Sequence, residues 1–299
     1  MKQQIKSSLI LLLTATIWGV AFVAQSVGME YIGPFTFNAI RCVLGGLALI
    51  PVILVLKKKK ETGAENQEKE DKKTLWAGGI ACGVILCIAS NLQQFGIMEA
   101  SVGKSGFFTA LYIVMIPVIG IFIGKRPGIK LWFCVALAVV GMYLLCMKDG
   151  SFTIERADIM LLLCALAFSF HILVVDYFSP RVDGVKMSCI QFFVCGVLSA
   201  VGMLFTETPD ISNIQAAWLP LLYAGLLSCG VGYTLQIVGQ KGINPVIASL
   251  IMSLESVISA LAGWVILGQV LSPKEILGCV LMFVAIIITQ IPIGNKKTD

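Results

Sequence analysis

Residues 245–267 read PVIASLIMSLESVISALAGWVIL, and Glu255 is the one charged side chain among them. A helix needs about 20 apolar residues to cross the hydrocarbon core of a bilayer, at about 1.5 Å per residue. This stretch is that long. It opens on Asn244-Pro245, a residue suited to the N-cap followed by a proline suited to the first helical position.

Outward from that span, apolar runs of the same length recur along the chain. Reading between charges gives spans at 7–27, 35–56, 76–97, 105–123, 131–148, 157–176, 185–205, 217–239, 245–267 and 274–291. The bulk composition agrees. Of 299 residues, 58% are hydrophobic and 13% charged, with a mean hydropathy of +0.91, whereas a soluble domain is about 45–50% apolar and about 25% charged. This excludes an ordinary cytosolic enzyme, a secreted disulfide scaffold and a disordered protein. The fold expected is an all-α integral membrane protein of ten transmembrane helices. Lys2 and Lys6 before an apolar stretch resemble a signal peptide, but the stretch continues to Val27 and reads as an uncleaved first helix. The ten cysteines form no CxxC pair and fall almost wholly in apolar runs, where Cys acts as a small hydrophobe.

Lys and Arg set the orientation, because cytoplasmic loops carry the excess. With the N-terminus inside, the inner segments hold seventeen Lys and Arg and the outer ones four. Both termini are therefore expected in the cytoplasm. The loop at 57–75, KKKKETGAENQEKEDKKTL, has no apolar periodicity and reads as a solvated cytoplasmic loop. Its interleaved acids weigh against a lipid-binding role.

The chain also carries an internal repeat. An offset of 139 residues places Ser105-Gly106 on Asn244-Pro245, Gly103 on Gly242, Ala110 on Ser249 and Gly124 on Gly263; Ser105 then stands, like Asn244, at an N-cap. Two units follow, 7–147 and 157–290. Five spans per unit is an odd number, so the copies run through the membrane in opposite senses, an arrangement used by transporters.

The residues of these units resemble the EamA type of the drug/metabolite transporter superfamily. The resemblance rests on Trp18-Gly19 with Phe22, Pro34 with Arg41, Asn244-Pro245, Ala248-Ser249-Leu250, Leu254-Glu255-Ser256-Val257, Leu267-Gly268-Gln269 and Leu271-Ser272. Ser256 and Gln269 depart from the usual LEPV and LGE forms. The resemblance implies two five-helix units and transport of a small metabolite, without naming the metabolite.

Polar residues inside spans supply the candidate site. A charge at a helix centre costs about 2.5–3.5 kcal/mol. Glu255 lies about 15 Å into its span, where it could carry a proton, touch the substrate, or stay protonated against a neighbouring helix. Arg41, one turn from Asn38, could bind a carboxylate, pair with Glu255, or snorkel outward. Asn91 with Gln94, and Tyr233 with Gln236, each share a helix face by i, i+3 spacing; the repeat relates the pairs, which could line two vestibules or bond between helices. Trp18 reads as a cavity wall or as core. His171, the single histidine, reads as packing or as a proton relay, and Tyr112 with Thr109 complete the set. Ser249 with Ser253, Ser259 with Gly263, and Gly79 with Gly83 read as close-packing pairs.

Other chemistry is not expected. Val102-Gly103-Lys104-Ser105 resembles the end of a phosphate-binding loop, but Met98 stands where the first glycine belongs. No catalytic constellation, metal site, cofactor, nucleic-acid partner or ATP-binding partner is expected. The function expected is a secondary transporter exporting a small, amino acid-like metabolite across the plasma membrane by alternating access, with protons as the candidate coupling ion. The alternative is a passive facilitator of the same fold.

Overall fold

The computed structural model describes residues 2–62, 71–100, 102–124, 127–146, 155–268 and 272–291. The centre of the lysine-rich loop, Gln269, Leu271 and the basic residues Lys125, Arg126, Lys148, Lys296 and Lys297 lie outside them. The described residues form helices and no strand. In chain order the main helices are α1 (Lys2–Gly28), α2 (Pro34–Thr62) and α3 (Lys72–Glu99), then α4 (Val102–Phe122). There follow α5 (Ile129–Cys146), α6 (Arg156–Phe178) and α7 (Gly184–Thr206), α8 (Trp218–Gln240) and α9 (Pro245–Ile266), and α10 (Pro273–Gln290). Eight of them are long and apolar enough to cross a bilayer, and α5 carries a shorter apolar stretch, Ile129–Leu144. Large apolar side chains such as Leu47, Leu54, Val197, Phe205 and Ile287 point outward. In water such a surface would drive aggregation, whereas in lipid it is the expected exterior. The chain is a multi-pass membrane protein.

Helix packing follows a pattern. α1 packs on α8 as α6 packs on α3; α1 meets α9 as α6 meets α4; α2 lies on α8 as α7 lies on α3. The pairs α2–α7, α4–α9 and α5–α10 pack on each other. Exchanging the first five helices for the last five therefore carries the first three contacts into their counterparts and each of the last three pairs into itself. Glycines permit the tightest approaches: a Cβ at Gly141 of α5 would stand 2.7 Å from the Gly278 carbonyl oxygen of α10, and one at Gly83 of α3 2.8 Å from the Gln191 carbonyl oxygen of α7.

Three spans that read as uninterrupted helices are not. α4 breaks at Leu111 and α9 at Ser253-Leu254. At each break the backbone tightens to i→i−3 bonds: Leu111 N–H to Phe108 O (3.2 Å) and Val114 N–H to Leu111 O (3.0 Å), then Leu254 N–H to Ile251 O (3.2 Å) and Ser256 N–H to Ser253 O (3.1 Å). The local causes differ. In α4, Pro117 cannot donate to the Ile113 carbonyl, which weakens the turn after the break. In α9, Ser249, Ser253, Ser256 and Ser259 each turn a hydroxyl back to the carbonyl three residues earlier, at 2.8–2.9 Å, a bonding that bends helices. Within α8, Tyr223–Tyr233 is a π-helix.

Two sequence expectations need correction. Ser105 is not an N-cap: α4 already starts at Val102, and Ser105 is fully buried within it. Asn244 is one, its side chain accepting from the Val246 N–H at 2.9 Å. The loop at 57–75 is shorter than read, because α2 continues through the lysines to Thr62 and α3 begins at Lys72. Lys and Glu are good helix formers, so these helices outlast their apolar segments.

Glu207, after α7, closes the start of α2. Its carboxylate accepts from the Phe35 and Thr36 N–H groups, both at 2.9 Å, and from the Thr36 hydroxyl at 2.6 Å. Exposed donors and the positive end of the helix are satisfied together. Glu207→Ala is expected to lower stability by about 1 kcal/mol, read as a lower thermal midpoint in detergent; an unchanged midpoint would show that the contact contributes nothing.

Candidate functional site

A cavity of about 420 Å³, counting its open mouth, lies where α1, α2, α3, α4, α6, α8 and α9 converge. α1 contributes Trp18, Phe22 and Gln25, one face of a helix by i, i+4, i+7 spacing. α6 contributes Phe168 and Ile172, and α8 contributes Ser228, Tyr233 and Gln236. Arg41, Gln93, Thr109, Tyr112 and Glu255 complete the lining.

The helix breaks place the central pair. Tyr112 is the first residue of the second half of α4, and Glu255 the first residue of the second half of α9. The Tyr112 hydroxyl donates to Glu255 Oε1 at 3.0 Å, and Glu255 is 4% exposed. Each half-helix N-terminus carries partial positive charge. The two helices cross closely below, where a Cβ at Gly106 would lie 3.1 Å from Ser259 Oγ.

Arg41 stands apart from Glu255. Its guanidinium Nη1 donates to Gln25 Oε1 at 2.8 Å and lies over the Phe37 ring, 5.6 Å from the centroid. No ion pair joins Arg41 to Glu255 among the described residues. Arg41 is 2% exposed, so it does not snorkel outward; Gln25 holds it inward. Its Nε has no hydrogen-bond partner, and neither has Gln236 Oε1. Among the lining residues the protein thus leaves one donor and one acceptor unused, beside one cationic and one acidic side chain. Around them, Trp18 and Tyr233 pack at 4.6 Å between ring centroids, and the Trp18 indole N–H donates to the Ser228 carbonyl at 3.4 Å.

Six of the residues singled out in the sequence therefore meet here: Trp18, Arg41, Tyr112, Tyr233, Gln236 and Glu255, with Thr109 beside them. Four do not. The Asn38 amide donates to Asn91 Oδ1 at 2.9 Å, and the Asn91 amide to Ser199 Oγ at 3.0 Å, tying α2, α3 and α7 together. Gln94 reaches Met29 Sδ at 3.6 Å. His171 Nε2 lies 3.1 Å from Gln191 Oε1, and its ring meets Tyr233 edge-on at 6.0 Å, so it stands behind the cavity wall. On α3 the cavity residue is Gln93, whose amide donates to Thr109 Oγ1 at 3.4 Å.

Gln25, Gln93 and Ser228 were not singled out in the sequence. Gln25 shares the Trp18 face and was legible there. Ser228 was not: at 3.6 residues per turn it points about 140° away from Tyr233. The i→i+5 bonding of the π-helix brings the two to one side.

The sequence model of the EamA-like transporter family matches this chain twice, over residues 5–147 and 155–291. The chain belongs to that family. With it comes membership of the drug/metabolite transporter superfamily, so the cavity lies in a membrane transport protein. Similar proteins include an uncharacterized transporter of Archaeoglobus fulgidus, 27% identical over 94% of this chain and 84% of that one. Another is the uncharacterized transporter YwfM of Bacillus subtilis, 24% identical over 97% of this chain and 96% of its own. A solved crystal structure, 17% identical, superposes with a TM-score of 0.77 over 95% of this chain and 96% of that chain; at that identity it speaks for the fold alone.

Proposed function

We propose that this EamA-like protein is a proton-coupled secondary transporter, not an enzyme, exporting an amino acid-like solute across the plasma membrane by alternating access. The observation that carries the reading is the buried contact of Tyr112 with Glu255 at the meeting of two interrupted helices. Ten spans in two inverted five-helix units, 7–147 and 157–290, with both termini cytoplasmic, supply the mechanical frame. The exchange symmetry of the helix packing and the Lys and Arg distribution support that frame. Rocking one unit on the other would open the cavity to each side in turn.

Charge accounts for the solute and for the coupling. Arg41 suits a carboxylate, Glu255 suits an ammonium, and Trp18, Phe22, Phe168 and Tyr233 give the remainder of the solute an apolar wall. Glu255 can hold a proton or face an ammonium, but not both at once. That exclusion yields antiport: a proton entering on the carboxyl releases the solute outward, and the next solute displaces the proton.

Counterflow in proteoliposomes tests this, with labelled amino acids set against the amines and acids that keep only one of the two charged groups. Accumulation of the zwitterions alone, only under an imposed pH gradient, is expected. Equilibration unaffected by the gradient would make the protein a passive facilitator, and a preference for the amines or the acids would remove the paired-charge reading.

A further inference from the structure

The mechanism above leaves a cluster of thiols unused. Cys42 of α2 and Cys195 of α7 lie with their sulfurs 3.4 Å apart, 1% and 0% exposed, and both are free. The backbones are close here, since a Cβ on Gly196 would stand 3.4 Å from the Cys42 Cβ. Cys87, also nearby, is engaged by the Asn91 amide at 3.4 Å and by Ser199 Oγ at 3.6 Å. Ser90 Oγ lies 3.8 Å from Cys195 Sγ and gives it a polar neighbour. Arg41, the residue before Cys42 on α2, lines the cavity.

The geometry points to Cys42 and Cys195 as a redox-modifiable pair whose disulfide fastens α2 to α7 and arrests transport. The co-reactant is a small two-electron oxidant of the peroxide class. One thiolate attacks a peroxide oxygen, the O–O bond breaks, and hydroxide leaves, giving a sulfenic acid. The second thiolate attacks that sulfur, the S–S bond forms, and the sulfenic oxygen leaves as water once protonated. Two thiols and one hydrogen peroxide become one disulfide and two waters. Forming the bond requires the sulfurs to close from 3.4 Å to about 2.05 Å. The bond would join the two units through helices that pack on each other as exchange partners, and would hold Arg41 in one position. The effect on transport rests on the proposed function; the cross-link does not.

The test treats the full-length protein in proteoliposomes with hydrogen peroxide, blocks remaining thiols under denaturing conditions, and maps the cross-linked peptides. The expected result is a bond between the peptides holding Cys42 and Cys195, loss of solute flux, and its recovery with dithiothreitol. Cys42→Ser and Cys195→Ser, which lie outside the cavity lining, should each keep flux in peroxide. The inference is overturned if both thiols remain free after oxidation, or if Cys42 pairs with another cysteine instead. It is equally overturned if the cross-linked protein still transports, or if either serine variant is still inhibited. Should the protein transport no solute at all, the peptide map alone decides whether the pair forms, separately from the failure of the transport reading.

Discussion

Glu255→Gln is expected to abolish gradient-driven accumulation while leaving the protein folded. Gln matches the shape of Glu and can still accept from the Tyr112 hydroxyl, which reaches Glu255 Oε1 at 3.0 Å. What it cannot do is take up and release a proton. Hydrogen bonds to a charged group contribute about 1.5–3 kcal/mol, so an ammonium that loses its carboxylate partner loses about 10- to 100-fold in affinity. Uptake driven by a pH gradient, measured beside gradient-free exchange, separates the two losses: the first should vanish, and the second should persist with a raised KM. Wild-type accumulation at every pH would end the proton-carrier role of Glu255.

Gly19→Leu should have the largest effect on the folded structure. Gly19 lies beside Trp18 where α1 crosses α9. A Cβ there would overlap the Ile258 side chain and stand 2.8 Å from the Glu255 carbonyl oxygen. A side chain can rotate away, but a backbone carbonyl cannot, so α1 must leave α9 at the helix break. Overpacking of this kind costs about 1–3 kcal/mol. The thermal midpoint in detergent should fall, and solute flux should fall further because the cavity wall at Trp18 moves with α1. Gly103→Ala is the control: nothing lies within 4 Å of a Cβ there, and its midpoint should match the wild type. Equal midpoints for Gly19→Leu and the wild type would mean that the two helices are not in contact as described.

Much of the architecture was legible because lipid removes choices. A segment such as 245–267 cannot leave its backbone donors unpaired in hydrocarbon, so it becomes a helix. The same constraint makes Glu255 conspicuous, since a carboxyl inside such a run needs a partner. Trp18, Arg41 and Glu255 were therefore findable as residues out of place. The repeat offset places an N-cap at Ser105 because sequence alone aligns that residue with Asn244, whereas α4 begins three residues earlier, at Val102.

What the sequence determined by itself was the helical, membrane-spanning character of the chain, its family, and the polar residues whose burial demands a reason. Only the tertiary structure decided which of those residues share a space. Periodicity reports the face of a helix, but not the neighbour that the face meets; Gln93 rather than Gln94 reaches the cavity, and Asn38 finds Asn91 instead of the cavity. Nor does a regular period survive the breaks at Leu111 and Ser253-Leu254 or the π-helix at Tyr223–Tyr233. Those interruptions are what bring Tyr112 to Glu255 and Ser228 to the side of Tyr233, because a changed number of residues per turn redirects every side chain beyond it.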